Sequence, residues 1–245
     1  MNHYKAIIAY DGTDYAGWQV QPEKLAIANI MQNTFAKTFG KPIKLIGASR
    51  TDAGVHALGQ VASFSTNILI SPYQLQVAWN NLLPNSIVIR SLQKTETFFH
   101  PQAYVKQKTY WYHFFTARPL PFVERYGSYY RYALNIEKLK ETFTVFTGTH
   151  DFRSFYTGNE QKNAIRTIDS ISLQYFKRWN IYRVEIRGKS FLRFMIRRIV
   201  GACMDVASRN LPIALLQKVL EERDPNQRLP NAHAKGLMLN KIIYE

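Results

Sequence analysis

The 245-residue sequence predicts an α+β protein of two tandem β-α-β-β-α-β units of the ferredoxin-like type, in domains at residues 1–105 and 106–245. The main observation is that strand-like segments, rich in branched and aromatic residues, alternate with helix-like segments in the same order in both halves. Hydrophobic residues make up 46% of the chain, which is enough to bury a core. The order restarts after Gln102–Gln107, so we expect the domain boundary there.

The first half contains four predicted strands and two predicted helices. Branched and aromatic residues identify the strands, and the second helix is marked by Ser71, an N-cap residue that is followed by proline. In chain order the elements are strand Tyr4–Tyr10, helix Ile27–Phe39, strands Lys44–Ser49 and Gln60–Thr66, the helix that runs from Ser71 to near Pro84, and strand Ser86–Leu92.

The second half repeats this order in its elements but not in its residues. A tight connection at Arg178–Asn180 separates its two central strands. In chain order the elements are strand Lys108–Phe115, helix Ile136–Phe146, strands Ser170–Phe176 and Ile181–Gly188, helices Phe191–Ala207 and Ile213–Glu222, and strand Gly236–Tyr244.

Charge is the most informative part of the composition. Lys and Arg number 32 against 17 Asp and Glu, a net charge of +15 with a pI near 9.9. Such a surplus indicates a polyanionic partner, and nucleic acid is favoured over a membrane surface because no basic amphipathic anchor is present. No apolar stretch approaches the ~18 residues that span a bilayer, and no export signal precedes Asp11. We therefore expect a cytoplasmic protein.

Cysteine and histidine content bears on metal and redox chemistry. Cys203 is the only cysteine, which rules out a disulfide within the chain, and the six histidines are scattered. We expect a protein without metal or cofactor. A nuclease is disfavoured, because no cluster of carboxylates or histidines is present to hold catalytic metal ions.

The segment Ser49–Ala57, "SRTDAGVHA", has two interpretations. Asp52 lies where a strand ends, two residues before Gly54, so it could be an aspartate in a turn that caps its own backbone. It could also be a functional carboxylate, with the cation of Arg50 and the hydroxyl of Thr51 beside it.

The predicted helix Phe191–Ala207 carries arginines beside an apolar stripe. Arg193 and Arg197 lie one turn apart at the border of the stripe, whereas Arg198 points elsewhere. Either the pair lies along a solvated edge with partly buried stems, or one arginine faces a carboxylate and keeps it ionised. The stripe consists of Leu192, Met195, Ile196, Ile199, Val200 and Cys203.

Aromatic and basic residues interleave in "KTYWYHFF" (Lys108–Phe115) and "ERYGSYYRYAL" (Glu124–Leu134). Aromatic rings stack on unpaired RNA bases and arginines pair with phosphates, so these segments suit RNA. The alternative is a tyrosine-rich sheet that packs within the protein.

Together these segments resemble the tRNA pseudouridine synthase A (TruA) family, over nearly the whole chain. The motif RTDxGVHA is very specific, and the other motifs follow in the family's order. The matching segments are Tyr10–Gln21, Gly47–Phe64, Asn80–Pro84, Lys108–Tyr112, Gly148–Phe155, Ile165–Ile168, Phe191–Gly201 and Lys235–Leu239.

The resemblance implies two ferredoxin-like domains whose antiparallel sheets flank a basic central cleft, in a homodimer. It implies conversion of uridine to pseudouridine in the anticodon stem-loop of tRNA, at positions 38, 39 or 40, without metal or cofactor. Asp52 matches the family's catalytic aspartate, Tyr110 its active-site tyrosine, and Arg197 the arginine that pairs with the aspartate. We expect Tyr110 and the arginines Arg50, Arg193 and Arg198 to contact the RNA substrate.

The sequence also departs from the family's pattern. Ala28 replaces a glutamine in the first helix, Pro101 and Gln102 replace Ala-Arg, and His233 replaces a proline near the last strand. These departures leave two alternatives open. One is a related RNA-uridine isomerase with a different RNA target, and the other is a non-catalytic tRNA-binding or tRNA-folding protein.

Overall fold

A computed structural model describes residues 1–157 and 163–245. Its contacts divide the chain into two compact units. Unit 1 comprises Met1–Lys106 together with Met238–Glu245, and unit 2 comprises Gln107–Leu237.

The bounds of the helices and strands are as follows. In chain order they are β1 Asn2–Tyr10, α1 Ile27–Phe39, β2 Ile46–Gly47, β3 His56–Thr66, α2 Pro72–Leu82, β4 Ile87–Thr95, β5 Val105–Phe115, α3 Pro121–Glu124, β6 Ser128–Tyr129, α4 Ile136–Thr142, β7 Gly148–Asp151, β8 Ile165–Phe176, β9 Ile181–Gly188, α5 Met195–Ser208, α6 Ala214–Glu222 and β10 Leu237–Tyr244.

Unit 1 is built on the central strand β1, which is antiparallel to β3 on one side and to β4 on the other. The short strand β2 lies antiparallel against β3. Alternate residues of β1 are buried, as expected for a strand with one face on the core. Helix α1 buries Ile27, Ala28, Met31 and Phe35. The predicted order β-α-β-β-α-β is confirmed for this half of the chain.

The C-terminal strand differs from the expected division at residue 105. The sequence assigns it to the second domain, but Met238 and Leu239 of β10 pair in parallel with His56 and Ala57 of β3. The backbone pairing therefore adds Met238–Glu245 to unit 1.

The predicted strand Lys44–Ser49 shortens to two residues, Ile46 and Gly47. After Gly47, the backbone of Ser49 is hydrogen-bonded by a side chain instead of by a neighbouring strand. The buried Gln60 accepts from the backbone N–H of Ser49 at 3.2 Å and donates to the Ser49 carbonyl at 2.6 Å. An amide side chain can replace a strand partner because it carries both a donor and an acceptor.

Unit 2 contains the antiparallel strand order β5-β9-β8-β7, with β6 parallel to β5. The strands β6 and β7 and the short helix α3 were not predicted. Residues Tyr112 and Phe114 of β5 and Val184 and Ile186 of β9 are fully buried on one face of this sheet. Helix α5 packs against α4. None of the helices in residues 1–157 and 163–245 combines the length and the apolar character needed to cross a bilayer.

The start of α5 is a correction to the sequence analysis. The helix was predicted from Phe191, but it begins at Met195. Phe194 has a φ of +62°, in the left-handed region, which cannot continue a right-handed helix. Arg193 therefore lies before the helix and is not one helical turn from Arg197.

Candidate active site

Asp52 lies in unit 1, in a turn between β2 and β3. The backbone N–H of Val55 donates to the carbonyl of Asp52 at 3.2 Å and closes the turn. Gly54 occupies the third position with a φ of +75°, the region that a type II turn requires there. Asp52 is half-buried. The backbone thus fixes the position from which the carboxylate projects.

The residues on either side of this turn are held by buried hydrogen bonds. The hydroxyls of Thr51 and Tyr10 are 2.8 Å apart, and both side chains are buried. At the start of β3, the buried His56 accepts at Nδ1 from the backbone N–H of Gly12 at 3.1 Å. Because these partners come from the end of β1 and the loop after it, the turn is tied to a segment about 40 residues earlier in the chain.

That earlier segment, Gly12–Trp18, contacts the turn through its backbone. Gly54 donates its N–H to Tyr15 at 3.2 Å, and Trp18 donates its N–H to Thr51 at 3.1 Å. A Cβ at Gly12 would lie 2.0 Å from the Val55 carbonyl oxygen, and one at Gly17 would lie 2.4 Å from that of Thr51. Only glycine permits such a close approach. We refer to Gly12–Trp18 as the clamp segment.

Tyr110 lies in unit 2, on β5, and is buried. It pairs with Ile186 of β9, and its ring meets that of Phe191 edge to face at 5.4 Å. Lys108 is on the same face of the strand, since side chains alternate along a strand. Burial lowers the pKa of the Lys108 ammonium to about 8.

Tyr112 is the next residue on this face of β5, and its phenol is buried. Burial raises the pKa of the Tyr112 phenol to about 12, although a hydrogen bond with Ser128, the charge of Arg197 and the backbone of His233 act in the opposite direction. The Tyr112 ring also lies against Gly236, where a Cβ would be 2.6 Å from the ring. The charge of Arg197 thus acts on the phenol of Tyr112, the neighbour of Tyr110 on this face of β5.

Arg197, in the first turn of α5, is held by the segment that precedes β10. Its Nε donates to the carbonyl of Ala232 at 2.7 Å, and the backbone N–H of Ala232 donates to the Arg197 carbonyl at 3.0 Å. One turn later a Cβ at Gly201 would lie 2.3 Å from the Pro230 carbonyl oxygen. The glycine therefore allows the chain at Pro230–Ala232 to lie directly on the helix.

The arginines expected to contact RNA differ in their surroundings. Arg50 and Arg193 are exposed. Arg198 is half-buried and donates from Nη1 to the carbonyls of Ser154 at 3.3 Å and Tyr156 at 2.8 Å, and burial lowers the pKa of its guanidinium. Arg198 thus has a role within unit 2 that the sequence did not indicate. Arg50 and Asp52 belong to unit 1, and the other candidate residues to unit 2.

Three of the four departures from the family's pattern occupy positions with contacts inside the protein, and the fourth, His233, is exposed. Gln102 donates to the carbonyl of Gly47 at 2.9 Å, and the Pro101 carbonyl accepts from the Tyr244 hydroxyl at 2.7 Å. Ala28 is buried in α1. The thiol of Cys203 is also buried, which raises its pKa to about 12 and keeps it protonated and unreactive at neutral pH.

Sequence reasoning missed several residues that hold the Asp52 turn and Arg197 in place. Gly12, Gly17 and Gln60 support the Asp52 turn, and Phe194 and Ala232 surround Arg197. The two glycines in a polar loop were a usable signal for a close backbone approach. In the part of the chain that the structure describes, no group of three His, Cys, Asp or Glu could hold a metal ion.

Comparison with known proteins gives consistent matches along the chain. A family described as tRNA pseudouridine synthase matches residues 6–102 and 143–245. A protein named tRNA pseudouridine synthase A from Thermodesulfovibrio yellowstonii is 37% identical over 100% of both chains, and one from Thermoanaerobacter sp. strain X514 is 35% identical, also over 100% of both. A solved archaeal box H/ACA sRNP Nop10-Cbf5 complex aligns at 10% identity with a TM-score of 0.34, over 82% of this chain and 43% of that chain.

Proposed function

The chain belongs to the tRNA pseudouridine synthase family and is an isomerase that converts uridine in tRNA to pseudouridine; from this premise we propose that its target uridines lie in the anticodon stem-loop, at positions 38, 39 or 40. The observation that carries the residue assignment is the rigid turn around Asp52, in which backbone contacts with the clamp segment fix the base of the carboxylate.

The reaction needs a carboxylate near the sugar. The bond between uracil N1 and C1′ breaks, the base turns over, and a bond forms between C5 and C1′, while C5 loses a proton and N1 gains one. Breaking the first bond develops positive charge on the sugar, which Asp52 would stabilise or capture covalently. A fixed turn favours this role because the position of the carboxylate is set before the substrate binds.

Tyr110 and Arg197 complete the proposed catalytic group. Arg197 would keep Asp52 ionised and oriented through paired hydrogen bonds. Tyr110 would stack on the released uracil and relay the C5 proton. Its edge-to-face contact with Phe191 supports this assignment, because the contact holds one edge of the ring in place.

The tRNA contacts are proposed from charge and exposed rings. Between Arg118 and Tyr132 the chain carries several arginines, and aromatic side chains lie at the surface beside them in the sequence. Phe122 is 80% exposed and Tyr132 is 64% exposed. Stems are base-paired, so the target nucleotide must leave the helix, and Arg50 would occupy the space that it vacates. With a net charge of +15, the affinity for tRNA should fall by about a hundredfold or more between 50 and 200 mM salt.

Three further features are part of the proposal. The order β4-β1-β3-β2 in unit 1 supports a ferredoxin-like domain, and we propose a second one in unit 2. The protein would act in the cytoplasm, and as a homodimer, which the resemblance implies. Sedimentation showing only a 28.5 kDa species at micromolar concentration would contradict the dimer.

Transcripts of a tRNA with uridine at only one of positions 38, 39 and 40 test the target directly. We expect the purified protein to form pseudouridine in at least one of them, and tRNA from cells without the protein to lack the same modification. Pseudouridine at other positions alone would identify an isomerase with a different RNA target. Tight binding without any pseudouridine would favour a tRNA-binding or tRNA-folding protein.

A further inference from the structure

The sheet of unit 2 has a second face, opposite to the one that carries Tyr110. Side chains alternate along a strand, and residues directly opposite each other on antiparallel strands share a face. Because Tyr110 pairs with Ile186 and Trp111 pairs with Glu185, these two pairs lie on opposite faces of the sheet. We refer to the face with Trp111 as the outer face, and its side chains include those of Trp111, His113, Gln174, Arg183, Glu185 and Arg187.

The guanidinium of Arg183 lies against two aromatic rings of unit 2. Its central carbon is 3.7 Å from the centroid of the Trp111 ring and 4.4 Å from that of the Phe176 ring. Both distances are within the range of cation–π attraction, and a planar guanidinium stacks well because it is weakly hydrated. Its Nε also donates to Nε2 of the buried His113 at 2.9 Å. Two rings and one hydrogen bond therefore set the orientation of the guanidinium.

The terminal nitrogens of Arg183 are not used in this arrangement. In residues 1–157 and 163–245, no hydrogen bond or ion pair involves its Nη1 or Nη2. Arg183 is half-buried, and this burial lowers the pKa of its guanidinium, although the charge of Glu185 acts in the opposite direction. An oriented, partly dehydrated guanidinium loses little freedom when a ligand binds. Its two terminal nitrogens match two oxygens of a phosphate or a carboxylate.

The carboxylate of Glu185, on the same face, is already neutralised. Its Oε2 accepts from Nε1 of Trp111 at 2.8 Å. Its Oε1 accepts from Nε of Arg187 at 2.9 Å and lies 2.6 Å from Nη2 of the same arginine. The hydrogen bond at Oε2 also holds the indole ring against which Arg183 stacks. Glu185 therefore supports the outer face without leaving an unpaired negative charge beside Arg183.

The turn that joins β8 to β9 adds positive charge. Lys177 and Arg178 are exposed, and the guanidinium carbon of Arg178 is 5.0 Å from the centroid of the Trp179 ring. The stretch from residue 174 to residue 187 holds four Lys and Arg against one acidic residue. This local surplus favours a phosphate over a carboxylate of a protein partner, since a polyanion can be bound by several cations at once.

We propose that Arg183 is a phosphate-binding residue, whose Nη1 and Nη2 bind a phosphate of the tRNA backbone. The choice of tRNA as the source of the phosphate rests on the proposed function. The target nucleotide would lie at Tyr110, on the other face of the sheet, so the phosphate at Arg183 belongs to another nucleotide. A packing role alone accounts for the stacked plane and for Nε, but it leaves two terminal nitrogens of a half-buried cation without a partner.

Gln174→Glu tests the site without removing any of its groups. Gln174 is exposed and lies directly opposite Arg183 on β8. A carboxylate there would pair with the guanidinium across the strands, which keeps the sheet stable and occupies the terminal nitrogens. We expect the affinity for tRNA in filter binding to fall by about fivefold or more, with an unchanged or higher melting temperature. Gln217→Glu, the same change at an exposed position of α6, is the matched control and should alter the affinity by less than about twofold.

Substitutions of Arg183 itself separate its charge from its geometry. The slope of log affinity against log salt concentration reports how many phosphates are neutralised, so its magnitude should fall by about one in Arg183→Gln. Arg183→Lys keeps the charge but loses the planar pair of donors, so the slope should stay and the affinity should fall by about threefold or more. A lower melting temperature with wild-type affinity and slope in both variants would indicate packing alone and overturn the proposal.

The remaining outcomes identify other ligands. Wild-type tRNA affinity in Gln174→Glu would overturn the proposal, and so would an equal loss in Gln217→Glu. If Gln174→Glu instead loses a dimer, the outer face is a contact between copies. If added inorganic phosphate shifts the NMR signal of the Arg183 Nε–H while no variant changes tRNA affinity, the site takes a free anion and the assignment to tRNA is wrong. If the variants lose affinity as expected but the wild type makes no pseudouridine at positions 38, 39 or 40, the proposed function fails and the phosphate site stands.

Discussion

The turn that carries Asp52 in unit 1 and the helix start that carries Arg197 in unit 2 are both fixed, but by different atoms. The Asp52 turn is held mainly by backbone groups of the clamp segment, with glycines at the closest contacts. Arg197 is held by its own side chain, through a hydrogen bond to Ala232 and a ring contact with Phe194. The contacts that fix the turn are therefore mostly between backbone atoms, whereas those that fix the Arg197 guanidinium involve side chains.

This difference has a consequence for substitutions. Around Asp52 almost any side chain added to the clamp glycines meets backbone, which cannot move away cheaply. The guanidinium of Arg197 contacts the Ala232 carbonyl and the Phe194 ring, so substitutions of this side chain should alter the geometry of the site without disrupting the fold. Substitutions at the clamp glycines should therefore act mainly on stability, and substitutions of the Arg197 side chain mainly on activity.

The largest effect expected is from Asp52→Asn. The change keeps the shape of the side chain and removes its charge, so pseudouridine formation should fall by at least about a thousandfold while tRNA affinity stays nearly constant. Single-turnover assays with labelled tRNA measure the first quantity and filter binding the second. Residual turnover within about tenfold of wild type would exclude Asp52 as the essential carboxylate.

Arg197→Lys should have the next largest effect. Lysine keeps the positive charge but loses the planar fork and the Nε donor to Ala232, so activity should fall by about a hundredfold with little loss of stability. Arg198→Lys gives the contrast. It removes the donor to Ser154 and Tyr156, so it should cost about 1 kcal/mol of stability and less than about tenfold in activity. Equal activity losses in the two variants would contradict the separate roles of these arginines.

Gly17→Ala tests the clamp segment. Gly17 has a φ of +93° and the added methyl group would meet the Thr51 carbonyl, so the free energy of unfolding should drop by more than about 2 kcal/mol. Gly40→Ala is the control, because Gly40 also has a positive φ, +67°, but no atom lies within 4 Å of the added group. Its cost should be about 1 kcal/mol, from the backbone alone. Urea denaturation compares them, and similar losses would mean that the close approach is unimportant.

The smallest effect expected is a pH dependence at Tyr112. Its pKa is raised by burial from 10.0 to about 12, so the neutral form is favoured in the folded state. The stabilisation is complete below pH 10 and is lost as the pH rises through about 12, because the unfolded chain ionises first. Relative to Tyr112→Phe, the wild type should lose about 1 kcal/mol between pH 9 and pH 11. Parallel stability curves for the two proteins over this range would show that Tyr112 does not titrate as described.

The regular elements were predictable where the pattern is local. The bounds of α1 and β9 coincide with the predicted helix Ile27–Phe39 and strand Ile181–Gly188, since hydrophobic periodicity and turn residues determine them. The start of α5 was not predictable, because a left-handed backbone conformation is uncommon for an aromatic residue and the apolar stripe already includes Leu192, before the helix begins. The strands β6 and β7 are only two and four residues long. They are defined by their pairing with β5 and β8, which a local sequence pattern does not show.

The sequence proposes which residues form the candidate site, but not which groups hold them in place. The assignments of Asp52, Tyr110 and Arg197 come from motifs that resemble a family, and they stay predictions. The groups that hold them come from distant parts of the sequence, as Gly17 does for the turn and Ala232 for Arg197. A pattern within one segment carries no signal for such a pairing, although closely spaced glycines indicate that some backbone approaches.

The pairing of β10 with β3 has a consequence for synthesis on the ribosome. Met238 and Leu239 pair with His56 and Ala57, which directly follow the Asp52 turn, and a Cβ at Gly59 would meet the Asn240 carbonyl. The edge of β3 next to the turn therefore stays without this partner until all of unit 2 has been translated. The strands β1, β3 and β4 are all translated before unit 2, whereas β3 gains its pairing with β10 only after unit 2 has been translated, so the strand that follows the Asp52 turn should be completed late in synthesis.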